Sequence, residues 1–304
     1  MNANGQSDAN ARLMRSVAIG AVMVAAVLVT TKLLAYILTD SIAMMASLAD
    51  SGLDMFASFV NFLAVRHALT PADREHRFGH GKAEPLAGLA QGAFISGSAT
   101  FLVIESVSRL IAPHPIEHGP LALGVMGLSI VLTAALVTAQ RIVVKRTGSL
   151  AIGADRLHYL SDLLTNAGVI VGIVASVKFG FLIADPIIGI GVAFVLGWSA
   201  WHVFRQSYDQ LMDRELPDKD RERIKSVVMH HAEVRDLHDL RTRAAGIATF
   251  IQLHIELDPA ISLMRAHEVS DEVEHDLLTA FPNAEIIIHQ DPAGVEAPPA
   301  LATS

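Results

Sequence analysis

Asp50 and Asp54 stand four residues apart inside SIAMMASLADSGLDMFASFVNFLAV, and His158 and Asp162 repeat that spacing inside ADRLHYLSDLLTNAGVIVGIVASV. A spacing of i, i+4 puts both members of a pair on one helix face. Three carboxylates and one imidazole make a nitrogen/oxygen set suited to one tetrahedral divalent cation, provided the two segments pack together. Ionisable groups within an apolar stretch of membrane-spanning length are costly, face a bundle interior and mark an ion path. A capping aspartate, a salt bridge to Lys32 or a Ser/Asn hydrogen-bond network would explain one pair. Two pairs with a shared period favour a metal.

Two further sets carry ligand chemistry. Asp73, His76 and His80 fall close together in PADREHRFGHGKAE, enough for a metal whose shell is completed by water. Their plain alternative is a solvated polar loop. Near the C-terminus, His238, His254 and His289 sit in or at the ends of short alternating segments, His267 opens an amphipathic one, and Asp291 follows His289 by two. Each histidine alone reads as a satisfied polar residue. Together they could converge at one end of a small sandwich, with a carboxylate able to bridge two ions. With 14 His and no Cys, thiolate sites and disulfides are excluded, and the available donors point to Zn, Fe(II), Mn or Cd rather than Cu(I).

The elements that must position these residues are legible in the hydropathy. Charged residues make up only 18% of the 304-residue chain, against roughly 25% in soluble domains, and mean hydropathy is +0.42. Six segments reach spanning length: Ser16–Leu38, Ile42–His67, Pro85–Ile111, Pro120–Val144, Leu150–Lys178 and Pro186–Phe204. The second, third and fifth carry Gly, Ser, Asn and acids, as interior helices do; the first, fourth and sixth read as lipid-facing. Arg12 and Arg15, then Arg66, Arg74, Arg77 and Lys82, then Arg141, Lys145 and Arg146, and finally Arg205 and Arg214 fall on alternate connections. Lys178 is the main exception. The positive-inside rule then places both termini in the cytoplasm.

From about Leu216 the pattern changes to an amphipathic helix, two alternating strands, a second helix and a third strand. The expected organisation is a disordered N-terminus (1–15), an α-helical membrane domain of six helices (16–210), a cytoplasmic αββαβ domain (211–293) and a disordered tail (294–304). A net charge of −8 gives no reason to expect nucleic acid as a partner.

At these residues the chain resembles the cation diffusion facilitator family, in particular its bacterial zinc and ferrous-iron efflux subgroup. The motifs are SLADSGLD, HRFGHGKAEPLAGL, LHYLSDLLTNAGV, LMDRELPD, LHDLRTRAAG, FIQLHIELD, AHEVSDEVE and IIIHQDP, spread over about Arg15 to Pro292. The resemblance implies a homodimer in the bacterial inner membrane that exchanges a divalent cation for protons, with a metallochaperone-like cytoplasmic domain. It implies Asp50, Asp54, His158 and Asp162 as the transport site and Asp73, His76 and His80 as a loop site. For a binuclear cytoplasmic site it implies His238, His254 and Asp291 on one ion and His267, His289 and Asp291 on the other, with Gln290 at the shell. It also implies an inter-subunit charge pair of Lys82 with Asp213.

The expected activity is efflux of Zn2+, with Fe2+, Cd2+ or Mn2+ as alternatives, by alternating access. His158 is the natural proton exchanger, because an unperturbed imidazole titrates near 6.5. The cytoplasmic ions would favour one dimer arrangement. The rival is a membrane-anchored metal sensor or buffer that does not transport. An enzyme is a weaker rival, since no HExxH, nucleophile elbow or phosphate loop accompanies the ligands.

Overall fold

The computed structural model describes residues 3–39, 42–111, 120–179 and 184–295. The chain divides into two compact units, Asp8–Tyr208 and the region from Asp209 on.

The first unit is a bundle of six helices: α1 (Ala3–Thr39), α2 (Ile42–Ala68), α3 (Ala83–Ile111), α4 (Pro120–Thr147), α5 (Leu150–Phe179) and α6 (Ala184–Leu211). Even α2, with 27 residues, is about 40 Å long, enough for a hydrocarbon core of about 30 Å. Among the described residues, five helices are long and apolar enough to cross a membrane. The other, α5, carries Asp155, Arg156, His158 and Asp162 in its first half. The N-terminus differs from expectation: from Ala3 onward it is the opening of α1, whose run of Ala, Arg, Leu and Met between Asn10 and Arg15 favours helix. The expected disordered tail falls, from residue 296, outside the described residues.

α4 also departs from the lipid-facing reading. It packs along α5, and its Ser129, Thr133 and Gln140 are buried. The turn between them is tight. Gly148 adopts φ +68° and its N–H returns to the Val144 carbonyl at 2.9 Å, a left-handed C-terminal cap for which glycine is suited. The start of α5 is capped from α3: buried Glu84 accepts the Leu150 N–H at 2.9 Å and the Ser149 hydroxyl at 3.0 Å. A carboxylate there satisfies orphan donors and meets the positive end of the helix dipole. Small residues let α3 and α6 close up. A Cβ on Gly88 would lie 2.3 Å from Ser207 Oγ, and one on Gly189 2.3 Å from Ser106 Oγ.

The second unit is α7 (Asp218–Val228), β1 (Asp236–Ala245), β2 (Ala248–Leu257), α8 (Leu263–Ala280) and β3 (Ala284–Pro292), the expected αββαβ order. The sheet runs β1-β2-β3, with β1 antiparallel and β3 parallel to β2. α8 is the crossover that a parallel pair requires. Ser262 caps it, accepting the Arg265 N–H at 3.2 Å. One sheet face, with Ile251, Leu253, Ile255 and Leu257 of β2, packs on Ile224 and Val228 of α7 and Val269, Val273 and Leu277 of α8. The alternation that buries those residues leaves His254 and Glu256 on the other face.

Candidate metal sites

Among the described residues, three groups of side chains offer ligand atoms within 4.8 Å of one another: Asp54, His158 and Asp162; Asp73, His76 and His80; and His238, His254 and Asp291.

In the first, His158 Nε2 of α5 lies 3.1 Å from Asp54 Oδ1 of α2. Asp162, one turn along α5, completes the trio. The helices are tied again one turn away, where Ser58 Oγ and Tyr159 OH share a hydrogen bond of 2.7 Å. Asp50 stands apart. It is exposed and outside the trio, although its helix face is that of Asp54. Lys32 of α1 donates instead to the Ser47 carbonyl at 3.2 Å and Ser51 Oγ at 2.6 Å. Among the described residues no ion pair joins Lys32 to Asp50.

Sequence reasoning passed over a second buried carboxylate in this unit. Asp155, 1% exposed, accepts Gln140 Nε2 at 2.7 Å and Gln91 Nε2 at 3.2 Å. The one signal for it in the sequence is an acid three residues before His158, a spacing that puts both on one helix face.

The loop group is built on an Asx turn. Asp73 Oδ1 accepts the N–H groups of Glu75 at 2.9 Å and His76 at 2.6 Å. The His76 N–H above all holds the Asp73 carboxyl below the usual range. Its other oxygen faces His80 Nε2 at 3.3 Å. His80 Nδ1 lies 3.3 Å from the Thr70 carbonyl, a pairing in which Nδ1 carries the proton and Nε2 keeps the lone pair for a metal. His67, at the end of α2, packs its ring 4.4 Å from that of His80.

In the C-terminal unit, strand register does what spacing alone does not reveal. His238 opposes His254, and His254 opposes His289, so three imidazoles form a row across the open sheet face. Asp291 sits beside the row. Its Oδ2 lies 2.8 Å from His254 Nδ1 and 3.2 Å from His238 Nε2, and its Oδ1 lies 3.3 Å from His289 Nε2. Partial burial opposes ionisation of Asp291, but the His254 hydrogen bond and the three imidazoles outweigh it and keep the carboxyl below its ordinary range. His267 is not drawn in. It is exposed on α8, which covers the opposite sheet face, and its Nε2 lies 3.6 Å from Asp271. Gln290 likewise faces α8, donating to Ser270 Oγ at 2.7 Å. Asp213 Oδ1 lies 3.4 Å from Arg243 of its own chain. Lys82 lies at the turn into α3, where the N–H of Leu86 returns to its carbonyl at 3.4 Å.

Residues 18–212 match the cation efflux transmembrane domain, and residues 216–293 match the cation efflux protein cytoplasmic domain. The chain belongs to the cation efflux family. These are the cation diffusion facilitators that its motifs resemble, and it is a multi-pass membrane protein. Among its relatives, the cation-efflux pump FieF of Shewanella oneidensis is 46% identical over 275 residues, 90% of this chain and 93% of that one. The cation-efflux pump FieF of Yersinia pestis is 42% identical over 285 residues, 94% of this chain and 95% of that one. Of solved structures, the metal-bound C-terminal domain of the CzcD transporter from Thermotoga maritima is 31% identical, covers 25% of this chain and 91% of that chain, and has a TM-score of 0.24.

Proposed function

We propose that this member of the cation efflux family exports a divalent metal, Zn2+ first and Fe2+, Cd2+ or Mn2+ as alternatives, from the cytoplasm in exchange for protons. The observation that carries the reading is the joining of Asp54, His158 and Asp162 from two membrane helices. An imidazole and two carboxylates at that depth hold a cation, and Asp50, on the same face of α2, completes a tetrahedral set when a metal draws it in. Each ligand must shed its proton before it holds metal, so proton and metal compete for the same atoms. Near neutral pH on the cytoplasmic side the site loads metal; facing the opposite side, protons displace it, and His158 is the principal exchanger. Alternating access in a homodimer delivers the two exposures. The distribution of basic residues supports a bacterial inner-membrane orientation with both termini cytoplasmic.

The C-terminal histidine row supports a second, non-transported use of metal. Its imidazoles and shared carboxylate would hold structural ions bridged by Asp291, with His267 recruited to the second. Such ions neutralise acids at a dimer face and favour one arrangement of the pair. Asp73, His76 and His80 would hold a loop ion, and Lys82 would pair with Asp213 between subunits. A membrane-anchored sensor would need the row and would have no use for the intramembrane trio.

The test is metal uptake into proteoliposomes under an imposed pH gradient, with Zn2+, Fe2+, Cd2+ and Mn2+ in competition. Gradient-dependent accumulation of Zn2+ accompanied by proton movement is expected. Binding without accumulation would establish the sensor instead.

A further inference from the structure

Asp155 lies one turn before His158 on α5, and four helices meet at its carboxylate. Gln140 reaches it from α4 at 2.7 Å and Gln91 from α3 at 3.2 Å; the same Gln91 amide donates to the Ala57 carbonyl of α2 at 3.2 Å. The direction of the amides is informative. Both glutamines turn their NH2 groups inward and leave Oε1 buried with no hydrogen-bond partner. A protonated carboxyl, or an asparagine in its place, would offer a hydrogen to one of those oxygens. An ionised carboxylate accepts only. The node is therefore organised around an anion. Among the described residues no lysine or arginine is ion-paired with Asp155, which is 1% exposed. A buried charge with no lysine or arginine beside it is expensive to keep, and here its field falls on the cluster one turn away.

We infer that Asp155 is a positioning residue of the transport site: an outer anion, held by Gln91 and Gln140, that strengthens retention of the cation without touching it. The inference rests on the reading of Asp54, His158 and Asp162 as the transport site. It accounts for an aspartate where an asparagine could satisfy the same amides after a flip, at lower desolvation cost. It also accounts for the node's place beside the trio rather than elsewhere in the bundle.

The experiment is initial-rate Zn2+ uptake against concentration with the full chain in proteoliposomes, comparing wild type, Asp155→Asn and Asp155→Glu. The charge role predicts that Asp155→Asn raises KM about tenfold with kcat retained, and that Asp155→Glu stays within about threefold of wild type. A purely packing role predicts the reverse, because the amide fits the node and the longer acid does not. Wild-type KM in Asp155→Asn, or equal loss in both variants, overturns the proposal. Should Asp155→Asn fail to assemble, Asp155→Ser, neutral and smaller, is read in the same way. Absence of uptake by the wild type would instead remove the transport reading on which the proposal stands.

Discussion

His158 Nε2 and Asp54 Oδ1 meet at 3.1 Å across 104 positions of sequence. The other ring nitrogen, Nδ1, is buried with no hydrogen-bond partner. Metal-bound imidazoles are usually aimed by a hydrogen bond at the second nitrogen; in the proposed transport site the aim would come instead from Asp54, at the nitrogen that would bind the metal. Asp54 would then serve as both ligand and orienting group, and the geometry of the cluster depends heavily on one carboxylate.

Asp54→Ala should for that reason be more damaging than loss of one ligand alone. Loss of an orienting partner alone typically costs about 10–100-fold in metal affinity, and here a proposed ligand goes with it, so uptake should fall by about a hundredfold or more. Metal binding by the C-terminal unit should persist, read as retained ions in equilibrium dialysis of the same purified variant. Uptake above a tenth of wild type would remove Asp54 from the site.

His158→Asp would turn the cluster into an all-oxygen set. Harder ions gain from that exchange and zinc loses, so competition uptake should shift toward Mn2+. An unchanged ratio of Zn2+ to Mn2+ would mean that selectivity is decided elsewhere in the chain.

The two i, i+4 pairs were readable because a helix fixes which residues share a face, and six apolar runs fixed where those helices are. Two things lay beyond that reach. Asp155, Gln91 and Gln140 come from three helices, and nothing in their local spacing announces a common centre. The row of His238, His254 and His289 depends on the register of β1 with β2 and on a parallel pairing of β2 with β3, both long-range choices that alternation cannot specify. His267 shows the converse: its motif places it with the others, yet α8 lies on the covered face of the sheet and leaves His267 beside Asp271.

Glu84→Ala tests the cap that α3 lends to α5. It would leave the Ser149 hydroxyl and Leu150 N–H without their buried acceptor, at a cost of about 1–3 kcal/mol. The expected result is a lower Tm for the detergent-solubilised protein, with Glu84→Gln intermediate because an amide oxygen still accepts. Since the cap fixes the start of the helix that carries His158 and Asp162, the alanine variant should also raise KM for metal. A normal Tm together with a normal KM would mean that the cap is dispensable.

The pH dependence of the C-terminal unit follows from Arg265, which joins Glu233, Glu268 and Glu272, while His231 meets Glu272 at 2.8 Å. The Arg265 hydrogen bond holds Glu233, and the His231 bond followed by Arg265 holds Glu272, below the ordinary value of 4.5. A depressed folded-state value means that the stabilisation is complete above the unfolded-state value and is lost as pH falls through the folded one. Denaturant midpoints of a fragment spanning residues 209–295, which carries its own core, should therefore be nearly flat from pH 7 to about 5.5 and decline below about 4.5. Arg265→Ala should lower the midpoint at pH 7 and converge on wild type only once the pH has fallen below the depressed folded-state values of both glutamates, where they are protonated with or without the guanidinium. Parallel curves for the two proteins down to that pH would show that the arginine acts through packing of its stem rather than through charge.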